Sequence, residues 1–185
     1  RAWGVPITIF TDKTTGEPLL DEKAIAVVAD KIAQHGIDAW EEMTPAELLD
    51  GYDYKGDVNN LEKETDILDV WFDSGTTWLH VLAQRDDLKG GSGGDADTPA
   101  DLYLEGSDQH RGWFHTSLLT GCGVMGRPPY RSVLTHGYVV DGDGKKMSKS
   151  VGNVVAPDDL TQKYGMDIVR LWVAASDYRE DVRLS

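Results

Sequence analysis

The sequence predicts an α/β fold in which an open parallel sheet follows an accessory α+β segment. Three observations point there. Expected strands end repeatedly in glycine or polar residues: the apolar run at residues 67–72 enters Asp73-Ser74-Gly75, that at residues 102–104 enters Glu105-Gly106-Ser107-Asp108, and a third strand at residues 130–135 enters His136-Gly137. Helix-patterned stretches follow such runs, which is the alternation of a parallel sheet wound with helices. The composition, 40% hydrophobic and 27% charged over 185 residues, is that of an ordinary globular protein able to bury a core. In open sheets of this kind ligands bind at the carboxyl ends of the strands, so these polar tails are the first candidates for a site.

Taken in order, residues 3–10 (WGVPITIF) read as a strand with Pro6 near its start, and residues 11–17 as the polar turn behind it. Residues 21–35 are helical: Ile25, Val28, Ala29 and Ile32 recur at helix spacing, and Gly36 sits where a C-cap glycine belongs. Thr44, Pro45 and Glu47 open a second, short helix, with Thr44 as cap and Glu47 closing a capping box. Residues 50–65 are polar and read as irregular. The expected division is an accessory segment over 1–65 and a second region over 66–185. In the second region, residues 67–72, 102–104 and 130–135 are the expected strands. Residues 110–124 form an amphipathic helix with Phe114, Leu118 and Leu119 available to bury. Val139 and Val140 continue the third strand, residues 141–144 make a tight turn, and residues 157–164 and 167–175 are helices with Gly165 behind the first. Residues 89–95 (KGGSGGD) have the composition of a flexible linker, either a natural surface loop or a splice.

A net charge of −14 argues against a surface built mainly to grip nucleic acid, because phosphate binding draws on Lys and Arg. The cations are not spread evenly, however. Lys145, Lys146 and Lys149 lie close together with only Asp143 near as an offset, either as a solvated basic turn or as a local anion site on an acidic body. No apolar run approaches the roughly 18 residues needed to cross a bilayer, and the first residues do not form a signal peptide, so no membrane is expected as a partner. Cys122 is the only cysteine, which precludes an internal disulfide and favours a cytoplasmic setting. With a single thiol no zinc site is expected. Ser107, Asp108 and His110 are the residue types of a hydrolase triad but crowd too closely along the chain for its geometry. No GxxxxGK[ST] loop is present, so the chain does not read as a P-loop ATPase.

The sharpest motif is Lys146-Met147-Ser148-Lys149-Ser150, followed by Val151-Gly152-Asn153. Two lysines three positions apart, set among small hydroxyl residues and flanked by glycines, make a mobile loop. Such a loop can close over a polyphosphate and set two ammonium groups where charge gathers on a leaving pyrophosphate.

KMSKS resembles the signature of the class I aminoacyl-tRNA synthetases. Residues 69–75 (DVWFDSG), 103–114 (YLEGSDQHRGWF) and 134–137 (LTHG) look like the isoleucine-specific members in particular. The resemblance covers nearly the whole chain and is weakest over residues 11–60 and 86–100. It implies the second half of a Rossmann-like catalytic domain, from an enzyme that joins isoleucine to ATP to give isoleucyl-AMP and then acylates tRNA(Ile). Residue by residue, it implies that Lys149, supported by Lys146, contacts the ATP phosphates, with Met147 and Ser148 between them at the nucleotide. Glu105, Gly106, Asp108 and Gln109 would face the adenylate, and His136 and Gly137 would approach the nucleotide. Trp71 and Trp113 would wall the isoleucine pocket, although both are also ordinary core residue types. The implied cofactor is ATP, accompanied by Mg2+ in the full enzyme. The implied partners are ATP, L-isoleucine, tRNA(Ile) and the remaining half of the catalytic domain.

Arg1-Ala2-Trp3-Gly4-Val5-Pro6 resembles the point where that family's chain re-enters its catalytic domain after an inserted editing domain. The family's HIGH signature belongs to the other half, and no His-x-Gly-His occurs here. The chain is therefore expected to be a fragment with little catalytic power alone, since half a site supplies little orientation. The alternative is a stand-alone nucleotide-binding module or paralogue that uses the loop for regulation or protein interaction.

Overall fold

The computed structural model describes residues 4–89 and 99–184. The expected linker lies outside the described residues from position 90 onward, as do Arg1, Ala2 and Trp3. The chain divides into two compact units, Arg1–Asp73 and Ser74–Ser185.

The first unit is built on an antiparallel ribbon of β1 (Phe10–Asp12) and β2 (Leu61–Lys63), with Phe10 opposite Lys63. Helix α1 (Glu22–His35) starts because the Asp21 carboxylate accepts from Lys23 N at 2.8 Å, and it stops at Gly36, whose N–H returns to Ile32 O. Two one-turn helices follow, α2 (Ala39–Glu42) and α3 (Pro45–Leu48). The Thr44–Glu47 capping box of α3 is formed as expected. Phe10, Val28, Trp40, Leu48, Leu49 and Leu61 share one core, with Phe10 and Trp40 rings 5.2 Å apart. Each such side chain contributes about 1.5–3 kcal/mol by leaving water. The buried face of α1 runs through Ala24 and Val28, while Ile25 is 42% exposed, so the helix is turned from the expected phase. Lys63 fastens the ribbon to α2: its ammonium donates to the carbonyls of Trp40 (2.6 Å), Glu41 (3.1 Å) and Met43 (2.8 Å). Removing that charge from the negative end of a helix with Lys63→Met is expected to cost about 1–3 kcal/mol, read as a lower urea midpoint.

The second unit holds a parallel pair, β3 (Ala100–Gly106) and β4 (Tyr130–His136), joined through α5 (Trp113–Met125). Parallel strands need such a crossover, and α5 supplies it. A second parallel pair, β5 (Val139–Val140) with β6 (Val182–Arg183), sits further along the chain. Helices α6 (Pro157–Tyr164) and α7 (Met166–Ala175) lie between them in sequence. Tyr103 of β3 centres the packing: its ring stacks on Trp113 at 4.1 Å and 7° and lies near Phe114 and Tyr130. The buried face of α5 is Phe114, Ser117 and Gly121 rather than Leu118 and Leu119, and Leu119 is 59% exposed. Small residues on that face let the helix approach closely; a Cβ on Gly121 would lie 2.6 Å from Pro129 Cδ. No helix among the described residues is long and apolar enough to cross a membrane.

One expected strand is replaced by a helix. Ile67 makes a single antiparallel bridge to Pro6, and α4 begins soon after it, over Val70–Gly75. Asp69 causes the change, because its carboxylate accepts from Trp71 N at 2.8 Å and so caps a helix start. Val70, Trp71 and Phe72 stay 69%, 45% and 45% exposed, which a strand buried on both faces would not allow. Residues 50–65, read as irregular, contain β2 and a 3-10 turn at Val58–Asn60.

Candidate functional site

In the second unit Glu105 is opposite Thr135 and Gly106 opposite His136, so the two chains leave the sheet side by side. Beyond Gly106 the chain tightens into a 3-10 turn, Ser107–Arg111; beyond His136 it passes Gly137 and Tyr138 into β5. A cleft of about 490 Å³ opens at these carboxyl ends, lined by Ser107, Thr135, His136, Tyr138, Arg179 and Asp181 among others. Small-molecule sites are typically roughly 300–1,000 Å³.

The lysine loop leaves from the same place. After β5, Asp141 organises the turn by accepting from the backbone of Asp143 (3.0 Å) and Lys145 (2.8 Å) and from Asn153 Nδ2 (2.7 Å). Asn153 Oδ1 in turn accepts from Ser148 N at 2.9 Å, so one asparagine ties the end of the loop to its beginning. The Asn153 hydrogen bond, then that of Lys145 N, holds the Asp141 carboxyl below its usual range. Gly144 and Gly152 bracket the loop at φ 81° and 75°, a left-handed backbone in which a side chain would be strained. Lys149 projects from the exposed part of this loop. Lys146 lies with its ammonium 4.4 Å from the centre of the Tyr138 ring. The Tyr138 hydroxyl donates to Asp108 Oδ1 (2.8 Å), accepts from Asp108 N (2.9 Å) and lies 3.2 Å from Ser107 Oγ. That hydroxyl, with the Lys146 charge as a lesser cause, keeps Asp108 ionised below the ordinary carboxylate range.

The remaining candidates take distinct places. Gln109 Oε1 accepts from Trp113 N at 2.9 Å and so helps start α5, and Glu105 is exposed at the end of β3. His136 Nδ1 sits 2.7 Å from its neighbour Gly137 O. Gly137 packs against the chain at residues 180–181, where a Cβ would run into the Glu180 carbonyl. Gly106 is similarly tight, with a Cβ position 2.8 Å from Asp108 Oδ1. Trp113, stacked on Tyr103, donates from its indole to Ser74 O at 3.0 Å. Trp71 belongs to the first unit. The structure thus brings Asp108, His136, Gly137 and Lys146 together around Tyr138. Sequence reasoning overlooked Tyr138, which directly follows the motif at residues 134–137, and quoted Asn153 behind KMSKS without giving it a role. Arg179 and Asp181 carry no local signal.

A family profile described as tRNA synthetases class I (I, L, M and V) matches residues 1–185. The chain belongs to the class I tRNA synthetases. An isoleucine–tRNA ligase of Bordetella petrii is 54% identical over 189 residues, covering all of this chain and 19% of that protein. One from Syntrophotalea carbinolica is 56% identical over 187 residues with the same shares. The chain therefore spans about a fifth of the length of these curated relatives. A solved structure, the ternary complex of Agrobacterium radiobacter K84 agnB2 LeuRS with tRNA and LeuAMS, matches the whole chain and 24% of its own at 19% identity, TM-score 0.67. The resemblance to isoleucine-specific members and the Rossmann-like α/β class are both borne out.

In this class I synthetase chain Arg179 of the cleft wall forms an exposed ion pair with Asp177. Arg179 donates to both Asp177 oxygens, at 2.9 and 2.8 Å, and holds that carboxyl down at about 2 from 3.8. A depressed folded value means that the pair's contribution is complete above pH 3.8 and is lost as pH falls through about 2. Carboxyl 13C NMR should show Asp177 titrating near 2, and Arg179→Ala should return it towards 3.8. No group of three or more His, Cys, Asp or Glu able to hold a metal occurs among the described residues.

Proposed function

We propose that this chain is a piece of an isoleucine–tRNA ligase and supplies one side of its ATP site. The observation that carries the reading is the meeting of the lysine loop with the strand-end cleft at Tyr138, which lines the cleft and touches Lys146. In the whole enzyme the isoleucine carboxylate attacks the α-phosphorus of ATP, isoleucyl-AMP forms and pyrophosphate leaves; the acyl group then passes to tRNA(Ile). Lys149 and Lys146 neutralise the charge that builds on the departing phosphates. His136, Gly137, Glu105, Gly106, Asp108 and Gln109 line the nucleotide's position, Met147 and Ser148 lie at the nucleotide between the two lysines, and Trp113 walls the side chain of the amino acid. The cleft's volume falls in the small-molecule range and the Lys146 ammonium lies against Tyr138 on its wall, which supports an adenosine triphosphate there with Mg2+ accompanying the phosphates. The remaining half of the catalytic domain completes the site, and the enzyme works in the cytoplasm.

Pyrophosphate exchange into ATP by the full-length protein tests this. Isoleucine should support exchange, and valine should be weaker by roughly 10–200-fold, the discrimination one methylene allows; isoleucine enzymes are themselves the reference case for that range. Exchange driven equally well by leucine, or by no amino acid, would end the proposal.

A further inference from the structure

Tyr138 does two separate things with one side chain. Its ring faces the Lys146 ammonium at 4.4 Å, and its hydroxyl makes two hydrogen bonds with Asp108 and lies against Ser107 Oγ. It therefore links the turn after β3 to the lysine loop after β5. Its own backbone is fixed, since Tyr138 N donates to Asp181 Oδ1 at 2.7 Å and Tyr138 O accepts from Val182 N at 2.8 Å. Lys149, on the same loop, projects into solvent.

We propose that Tyr138 is a positioning residue that stows Lys146 in the nucleotide-free protein. The inference rests on reading the loop as the phosphate-binding loop. On the ring one side of the Lys146 ammonium is covered, so the lysine engages a polyphosphate fully only after it moves off Tyr138. The ring then sets how much of the protein has this lysine available. A cation held over an exposed aromatic face shifts such an equilibrium by roughly two- to five-fold. The Asp108 carboxylate, fixed by the tyrosine hydroxyl, adds attraction for the same ammonium. Among the described residues Lys149 has no corresponding tether, so the two lysines are engaged differently: one is available from the start and the other is released.

Competitive amine labelling with acetic anhydride, read lysine by lysine by mass spectrometry, tests this on the full-length protein without nucleotide. In the wild-type protein Lys146 should react roughly two- to five-fold more slowly than Lys149. Tyr138→Phe keeps the ring and loses the hydroxyl, and it should retain most of that protection. Tyr138→Met and Tyr138→Leu lack an aromatic face, and whichever of them folds by circular dichroism should bring Lys146 close to the Lys149 rate. Equal rates in the wild-type protein, loss of protection in Tyr138→Phe, or full protection in a folded Met or Leu variant would overturn the stowing role. Isoleucine-dependent exchange, measured on the same wild-type sample, keeps the two claims apart. Its absence would count against the ligase reading while the labelling ratio still decided the tether.

Discussion

Lys149→Ala in the full-length protein is expected to slow formation of the adenylate by about 10²–10³-fold, the range found when one donor to a developing anion is removed. ATP affinity should fall by less than about ten-fold. The difference follows from where the residue sits. Lys149 lies between Gly144 and Gly152 on an exposed segment, and ordering its side chain costs up to about 2 kcal/mol of rotamer entropy. In the ground state that cost offsets much of what the contact gives. When negative charge moves onto the leaving pyrophosphate, the attraction grows and the entropy has already been spent, so the effect falls on the rate. Single-turnover kinetics separates the two. An unchanged rate of activation with only a raised ATP dissociation constant would make Lys149 a binding residue and nothing more.

Gly137→Ala is expected to destabilise the second unit by about 3 kcal/mol, at the upper end of what one added carbon usually costs in a packed site. The new Cβ would meet backbone, the Glu180 carbonyl and Asp181 N at 2.8 Å, and not the tip of a flexible side chain. The backbone cannot withdraw cheaply. Gly137 N donates to Tyr178 O at 2.8 Å, and the bonds from Tyr138 N to Asp181 and from Val182 N to Tyr138 O pin the same two segments together. Gly123→Ala is the matching control: nothing lies within 4 Å of its Cβ position in α5, and removing a helix-interior glycine should stabilise by about 0.5–1 kcal/mol. Urea midpoints of the two variants should move in opposite directions.

The parts of the fold that were legible in the sequence are those closed by local chemistry. Helix α1 carries its own start in Asp21 and its stop in Gly36, and α6 is bounded by Pro157 and Gly165, so both were readable without knowledge of any neighbour. Strand β4 was readable because it ends in the polar tail that opens the site. Residues 67–72 are apolar without a period of two residues, and the cap within them decides their form: Asp69 directs the backbone of Trp71 into a helix. β2 and β6 escaped because three- and two-residue strands have no periodicity; each exists through its partner, β1 or β5. The site divides in the same way. Lys146, Lys149, His136 and Gly137 stand in motifs, whereas Arg179 and Asp181 reach the cleft through the pairing of β5 with β6 and the bonds that Gly137 N and Tyr138 N make to Tyr178 and Asp181. Tyr138 matters through contacts to residues 30 positions earlier and to a loop that turns back on it, which no local pattern records.

Where the base of the nucleotide lies is measured most directly by photo-crosslinking the full-length protein with 8-azido-ATP and sequencing the labelled peptides. Label is predicted in the segment containing His136, Gly137 and Tyr138, and it should be suppressed by unlabelled ATP. The first unit offers a rival of similar size, a groove of about 510 Å³ lined by Val5, Pro6, Trp40 and Ile67. ATP-protected label in that groove, or wholly outside residues 1–185, would contradict the assignment of the strand-end cleft and its lysine loop as the ATP site.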